Sequence, residues 1–287
     1  MNAVIPLVIR PSLLDIFGTK APGIMAGIDN ATYHADRSCA SSSALKAMLK
    51  SPAHYRAYLD GERKETPDMA FGTAFHSRLL EPDDFACRYV AAIDGDRRAK
   101  GWKEFEALVS GEGRLLLTSD QSRALEAMVD SVGTHSSAMT LLHSGLKENT
   151  LIWRDENTGL WLKARPDNLV THPSVGVCLD VKTTADLMPE AFARQCVNLD
   201  YDLSAAMYLE GLQAVFRRDF DFMFLAVEKT APFGRALYGA PSEMIERGKR
   251  RLRIALSRLR ACIDTDEWPP FQGDGSYDIL DWPRWAA

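Results

Sequence analysis

Between residues 148 and 182 the apolar side chains stop recurring every three or four positions and begin to alternate or run together. Helical spacing lies on both sides of that change of period. One block of strands must therefore be covered by helices that precede and follow it, which limits the fold more than any other feature. Residues 148–154, 160–165 and 175–182 read as strands, with turn signals at Asp155-Glu156-Asn157-Thr158-Gly159 and Thr171-His172-Pro173-Ser174 between them. They predict a three-stranded antiparallel meander. Upstream, Ser41 to Ser43 are N-cap candidates for a helix carrying Leu45, Met48 and Leu49, which Pro52 interrupts. Residues 68–82 set Phe71, Ala74, Phe75 and Leu79 on one helical side, and residues 101–109 and 119–143 also read as helices. Downstream come a helical stretch over 189–217, strands over 220–228 and 235–239, and a helix over 242–260. The order is αβββαβ, a mixed α/β (α+β) chain whose central mixed sheet is flanked by helices, with a helical N-terminal region. The expected organisation is an irregular segment over 1–36 and one domain over 37–287. That domain divides into a helical part (37–147), a sheet core (148–240), and a basic helix with its tail (241–287).

Several classes are disfavoured. No apolar run approaches a membrane span. The start, MNAVIPLVIRPSLL, has no basic n-region and is broken by Pro6, Arg10 and Pro11, so a secretory leader is not expected. Five scattered cysteines without a CxxC pair argue against a disulfide framework or structural zinc and for a reducing cytoplasm. Net charge is -5, yet residues 242–260 hold seven basic side chains against two acidic ones. That helix reads either as a solvated face or as a phosphate-facing surface.

The stretch WLKARPDNLVTHPSVGVCLDVKTTAD (161–186) carries the chemistry. Residues i and i+2 of a strand share a face, so Asp180 and Lys182 project together with Cys178 behind them, while Val181 turns to the opposite core. Asp167 lies just past the preceding strand, where a short connection can bring its carboxylate beside Asp180. Leu179, Val181 and Val177 mark a mostly buried strand, where unpaired charges are costly. Two neighbouring carboxylates repel unless a cation sits between them. Hard oxygen ligands suit Mg²⁺, with Mn²⁺ as a substitute, and an adjacent ammonium can orient water or stabilise charge on a phosphate. Acids and a lysine around a divalent metal are the equipment of phosphodiester hydrolysis.

These residues resemble the PD-(D/E)xK nuclease signature, here as Pro166-Asp167 followed by Asp180-Val181-Lys182. FGTAFHSRLLEP (71–82) is similar to the GTxxH helix of the RecB-like branch. SSSALKAMLKSPAHYRAYL, GLWLKARPDNLV, LDVKTTAD, YDLSAAMYLEGL and DWPRW follow in the order of RecE-type, exonuclease VIII-like phage exonucleases. The likeness covers roughly residues 22 to 285. It implies a restriction-endonuclease-like core. It also implies a metal held by His76, Asp167, Asp180 and the main-chain carbonyl of Val181, with Lys182 assisting the attacking water. On its own, His76 with its apolar neighbours could equally be a core histidine.

In related enzymes an acid in the region of Glu148 helps to hold a second metal; the alternative is a strand-edge carboxylate. Tyr201 and Tyr208, seven apart on one helical face, either reach the site or DNA or edge the core. Thr183, directly behind the lysine, is expected to touch the substrate or support the residues that do. Ser204 occupies the position where RecB-like nucleases usually carry Gln, so that contact is in doubt. Without clustered C-terminal cysteines, no iron–sulfur cluster is expected. The resemblance further implies a 5′→3′ exodeoxyribonuclease on linear double-stranded DNA ends that leaves 3′ strands for recombination. It would work as a homo-oligomeric ring with a phage-type single-strand annealing protein as partner. The alternatives are a RecB-like nuclease of other polarity or single-strand preference, and an idle DNA-end-binding subunit.

Overall fold

The computed structural model describes residues 10–61, 66–92, 100–273 and 277–281. The chain begins with α1 (Leu13–Phe17), β1 (Gly23–Met25), α2 (Asn30–Ala35), β2 (Ala40–Ser41), α3 (Ser42–Lys50) and α4 (Pro52–Asp60). The helical part continues with α5 (Pro67–Leu80), α6 (Pro82–Arg88), β3 (Tyr89–Ala91), α7 (Lys100–Gly111), β4 (Leu115–Leu117), α8 (Ser119–Gly133) and α9 (Ser136–Ser144). The strand block is β5 (Leu146–Lys147), β6 (Thr150–Arg154), β7 (Trp161–Ala164), β8 (Asn168–His172) and β9 (Val175–Thr184). After it come α10 (Pro189–Asn198), α11 (Tyr201–Phe216), β10 (Asp221–Glu228), β11 (Arg235–Gly239) and α12 (Ser242–Thr265). Among the described residues no helix is long and apolar enough to cross a membrane.

Local chemistry starts and stops these helices. The Ser41 hydroxyl accepts from Ala44 N–H at the start of α3. Thr66 caps α5 with Pro67 in its first turn, where a missing N–H costs nothing. Asp200, with φ 55, separates α10 from α11, so the single helical stretch expected over 189–217 is two helices. Residues 119–143 likewise divide, into α8 and α9.

A five-stranded mixed sheet, in the order β11-β10-β9-β8-β5, is the centre of the molecule. β9 runs parallel to β10, placing Asp180 opposite Phe224 and Lys182 opposite Ala226. Leu179, Val181, Leu225 and Val227 face one core with Phe75 of α5 and Leu125 of α8. Cys178, Phe222 and Phe224 face the other, with Leu203 of α11 and Leu252 of α12. Helices thus cover both faces of a mostly buried sheet.

The expected meander does not form. β6 and β7 pair with each other in a separate four-stranded sheet, β1-β6-β7-β2, while β8 and β9 make an antiparallel hairpin in the central one. The αβββαβ order survives, but its three leading strands are β5, β8 and β9, with the β6–β7 hairpin inserted between them. The sequence hid β8 because it holds only two large apolar residues, Leu169 and Val170, between Pro166 and Pro173. The ladder to β9, running from Asn168–Leu179 to His172–Val175, holds it extended.

Nor is the described part of residues 1–36 irregular. Its elements are three to six residues long, too short to show a period. Two buried cations from β7 and its end hold them. Lys163 Nζ donates to the Tyr33 carbonyl (2.7 Å), the Asp36 carbonyl (2.9 Å) and Asp36 Oδ2 (3.1 Å). Arg165 donates to Asn30 Oδ1 (2.6 Å) and the Ile28 carbonyl (2.8 Å). Residues 1–9, and the DWPRW segment beyond Asp281, lie outside the described residues.

α12 proves to be a buttress. Arg247 and Arg251 grip the buried Asp202 of α11 at 2.7 and 2.8 Å, and Arg251 also reaches Asp200. Arg253 pairs with Asp155 and with Glu210. Lys249, Arg258 and Arg260 bond Glu246, the Leu49 carbonyl and Asp264. Six of its seven cations are thus engaged within the protein, while Arg250 is exposed. The two helices approach so closely at Gly248 that a Cβ there would enter the radius of the Asp202 carbonyl oxygen. Gly248→Ala should therefore lower stability by about 1–3 kcal/mol through overpacking. Urea unfolding should show a lower midpoint, and an unchanged midpoint would contradict this packing.

Candidate active site

The strand block delivers its charges to one place. Asp167 lies between β7 and β8, and its Oδ2 accepts from Val181 N–H at 2.5 Å. That bond ties the loop acid to the middle of β9. From α5, His76 presents Nδ1 at 3.5 Å from the same oxygen. Glu148, between β5 and β6 with φ 52, donates its N–H to the Asp167 carbonyl at 3.3 Å. His76, Glu148 and Asp167 each offer a ligand atom, all within 4.8 Å of one another. One nitrogen and two carboxylates make a donor set suited to Mg²⁺ or Mn²⁺, so a divalent metal fits here.

Asp180 stands beside this trio instead of within it. It is 4% exposed and pairs with Lys182 Nζ at 2.7 Å. Lys182 Nζ also donates to the Val181 carbonyl at 3.1 Å and lies 5.3 Å from the Tyr201 ring centroid. The carbonyl expected as a metal ligand is thus engaged by the lysine, while the Val181 side chain is buried in the opposite core as expected.

The electrostatics are those of crowded acids. Burial, and then the charge of Asp180, hold the Asp167 carboxyl well above its ordinary range; the Val181 N–H only partly offsets them. Burial and then Glu81 push Glu148 up to about 7. Burial and the Lys182 charge push His76 down to about 4, so its imidazole is neutral near pH 7 and has a lone pair to give. Burial pulls Lys182 down, but Asp180 and Asp167 outweigh it and raise the ammonium above its usual value.

Of the remaining expected residues, Tyr208 lines a cavity of about 500 Å³ together with His76, Glu148, Asp167 and Lys182. Tyr201 and Thr183 line a second groove, of about 640 Å³. Met69 and Gly72 of α5 border both spaces. Ser204 is buried in α11 and lines neither. An amide arrives from elsewhere: Gln195 of α10 donates to the Thr183 carbonyl (3.1 Å) and to the Tyr201 hydroxyl (3.4 Å), and accepts from Thr184 Oγ1 (2.8 Å).

Sequence reasoning also passed over Lys163 and Arg165, which line the first cavity. Their signal was available, since 163, 165 and 167 alternate along one chain. Glu81, the nearest negative influence on Glu148, carried no such signal.

A family model described as a PDDEXK-like domain of unknown function (DUF3799) matches residues 41–278. No curated protein matches the chain. The fold is similar to that of a proposed exonuclease of Eubacterium rectale, with a TM-score of 0.62 at 15% identity over 90% of this chain and 96% of that one. A phage-related exonuclease of Haemophilus somnus aligns over 80% of this chain and 96% of its own at 13% identity. Its TM-score is 0.34, too low to carry an argument.

The acid crowding gives a signed expectation for metal-free protein. Glu148 ionises near 4.5 when unfolded and near 7 when folded. Its cost is therefore absent below 4.5, grows as pH rises through that window, and is complete above 7. Glu148→Gln should raise the melting temperature in EDTA above pH 7 and leave it nearly unchanged below 4.5. Saturating Mn²⁺ should reverse the advantage by stabilising the wild type more. Equal melting curves at both pH values would show that Glu148 is not crowded.

Proposed function

The chain belongs to the PDDEXK-like family, and from that premise we propose that it is a metal-dependent exodeoxyribonuclease acting on linear double-stranded DNA. We assign it 5′→3′ polarity, 3′ single strands as products for recombination, and a cytoplasmic setting. One observation carries the hydrolytic reading. A lysine ammonium, pinned by Asp180 and the Val181 carbonyl, lies beside a His–Glu–Asp donor set at the wall of a cavity.

In this reading His76, Asp167 and Glu148 would hold Mg²⁺, while Asp180 fixes Lys182 beside them. The metal would polarise a phosphate oxygen and lower the pKa of a water. The chain's own residues do the rest. Lys182 stays an ammonium at neutral pH, so it does not act as a base; it donates hydrogen bonds to the attacking water or the phosphate. Tyr201, tethered by Gln195, limits where that ammonium can sit. Neutral His76 gives its lone pair without adding positive charge.

The polarity, the duplex substrate and a ring of subunits with an annealing partner are supported by the resemblance to RecE-type exonucleases. They do not rest on α12, six of whose seven cations bond groups within the protein. Linear duplexes labelled at either the 5′ or the 3′ end, incubated with and without Mg²⁺, test the reading directly. The 5′ label should be released first, as mononucleotide, only with metal. Asp167→Asn and Asp180→Asn should abolish release. Lys182→Met should slow it by on the order of 10²-fold while leaving Mn²⁺ affinity, read by calorimetry, nearly intact. Release at the wild-type rate in any of the three would sink the assignment.

A further inference from the structure

Lys46 lies on α3, whose first turn, Ser42 and Ser43, lines the 500 Å³ cavity. Its Nζ donates to the Leu199 carbonyl at 2.9 Å and sits 5.5 Å from the Tyr201 centroid, beside the second groove. Leu199 and Tyr201 both line that groove. The same ring carries Lys182 at 5.3 Å, so one tyrosine brings two ammoniums together. Lys182 is neutralised by Asp180 at 2.7 Å. Lys46 forms no ion pair among the described residues; its one direct hydrogen bond goes to a neutral carbonyl.

A half-buried cation without a carboxylate is costly unless something anionic completes it. Burial, and then repulsion from Lys182, pull the Lys46 ammonium down to about 8; Asp180, Asp200 and Asp202 oppose this only from a distance. A structural lysine in such a place would be expected to own a carboxylate, as Lys163 owns Asp36 at 3.1 Å. Lys46 instead shares the Tyr201 ring with Lys182, the lysine assigned to the scissile phosphate, and bonds Leu199, which like Tyr201 lines the second groove.

We infer that Lys46 binds the substrate phosphodiester adjacent to the scissile one, so that the cut strand passes from the first cavity over Tyr201 into the second groove. This rests on the nuclease reading, but it concerns holding the strand and not hydrolysis. Lys46 is therefore a positioning residue, and its partner is the sugar–phosphate backbone, independent of base sequence.

Binding in Ca²⁺ separates it from the hydrolytic machinery. Lys46→Gln keeps a donor for the Leu199 carbonyl and removes the charge, while Lys46→Arg keeps a charge. The dissociation constant for a 5′-overhang duplex should be measured against salt concentration for all three proteins, with melting temperature in parallel. Losing one phosphate contact should reduce the slope of log affinity against log salt by about 0.7–0.9 in Lys46→Gln, with near wild-type slope in Lys46→Arg. Acetylation of wild-type lysines, read by mass spectrometry, gives a check independent of any variant: bound DNA should shield Lys46.

An unchanged slope in Lys46→Gln overturns the inference. So does equal loss in both variants with a lowered melting temperature, or acetylation of Lys46 indifferent to DNA. If wild type binds DNA with a Lys46-dependent slope but does not cleave it with Mg²⁺, the nuclease reading fails and the phosphate contact stands. Wild type that binds no DNA overturns both.

Discussion

The contact between Lys182 and Asp180, at 2.7 Å, holds a positive charge where β9 would otherwise bury acids alone. Asp167, Asp180 and Glu148 converge there because the turn into β8 bonds the middle of β9 and the residues after β5 bond that turn. Without the ammonium, three carboxylates would share a site from which water is largely excluded, and each would raise the others. The surrounding fold keeps that ammonium still. The Val181 carbonyl takes one of its protons, the Tyr201 ring lies against it, and Gln195 tethers that tyrosine to the end of the same strand. α12 in turn clamps α11 through Asp202, so a distant row of arginines steadies the helix that carries both site tyrosines.

Much of this was legible because it depends on short-range rules. β9 announces itself by ten residues with a long apolar run, and the i, i+2 rule places Asp180 and Lys182 together from the sequence alone. The Asp167 carboxylate follows from the Pro166 break. His76 needed the family resemblance, since helical spacing alone does not separate a ligand from a core histidine. The helices over 68–82 and 242–260, and β11, lie close to where periodicity set them.

What escaped has one physical cause: partners chosen across long sequence distances. β8 is extended because β9 pairs with it, not because of its own composition. Gln195 and Tyr201 are six residues apart but belong to different helices, joined at the left-handed Asp200. A helical pattern continued across that break would put them on unrelated faces. The basic helix looked like a polyanion surface because its acids, Asp155, Asp200, Asp202 and Glu210, are distant in sequence. Residues 10–36 looked irregular because Lys163 and Arg165, more than a hundred positions away, supply the charges that order them.

The fate of the α12 arginines changes where affinity for a polyanion can originate. With a net charge of -5 and six of the seven cations of its most basic helix engaged internally, the protein has little long-range attraction to offer a phosphate chain. Near the site itself the acids Asp167, Asp180, Glu148 and Glu81 lie with Lys182 and Arg165, so in the proposed reading a strand entering a metal-free site would meet carboxylates as well as cations. The same crowding that drives Glu148 up to about 7 therefore also opposes the substrate. A divalent cation relieves both at once, because its charge compensates the carboxylates and attracts the phosphate. Metal binding and strand binding are then coupled through the acids they share, and each should strengthen the other by the same factor. In the proposed reading Lys46 would then fix the path of the strand once that charge has been supplied.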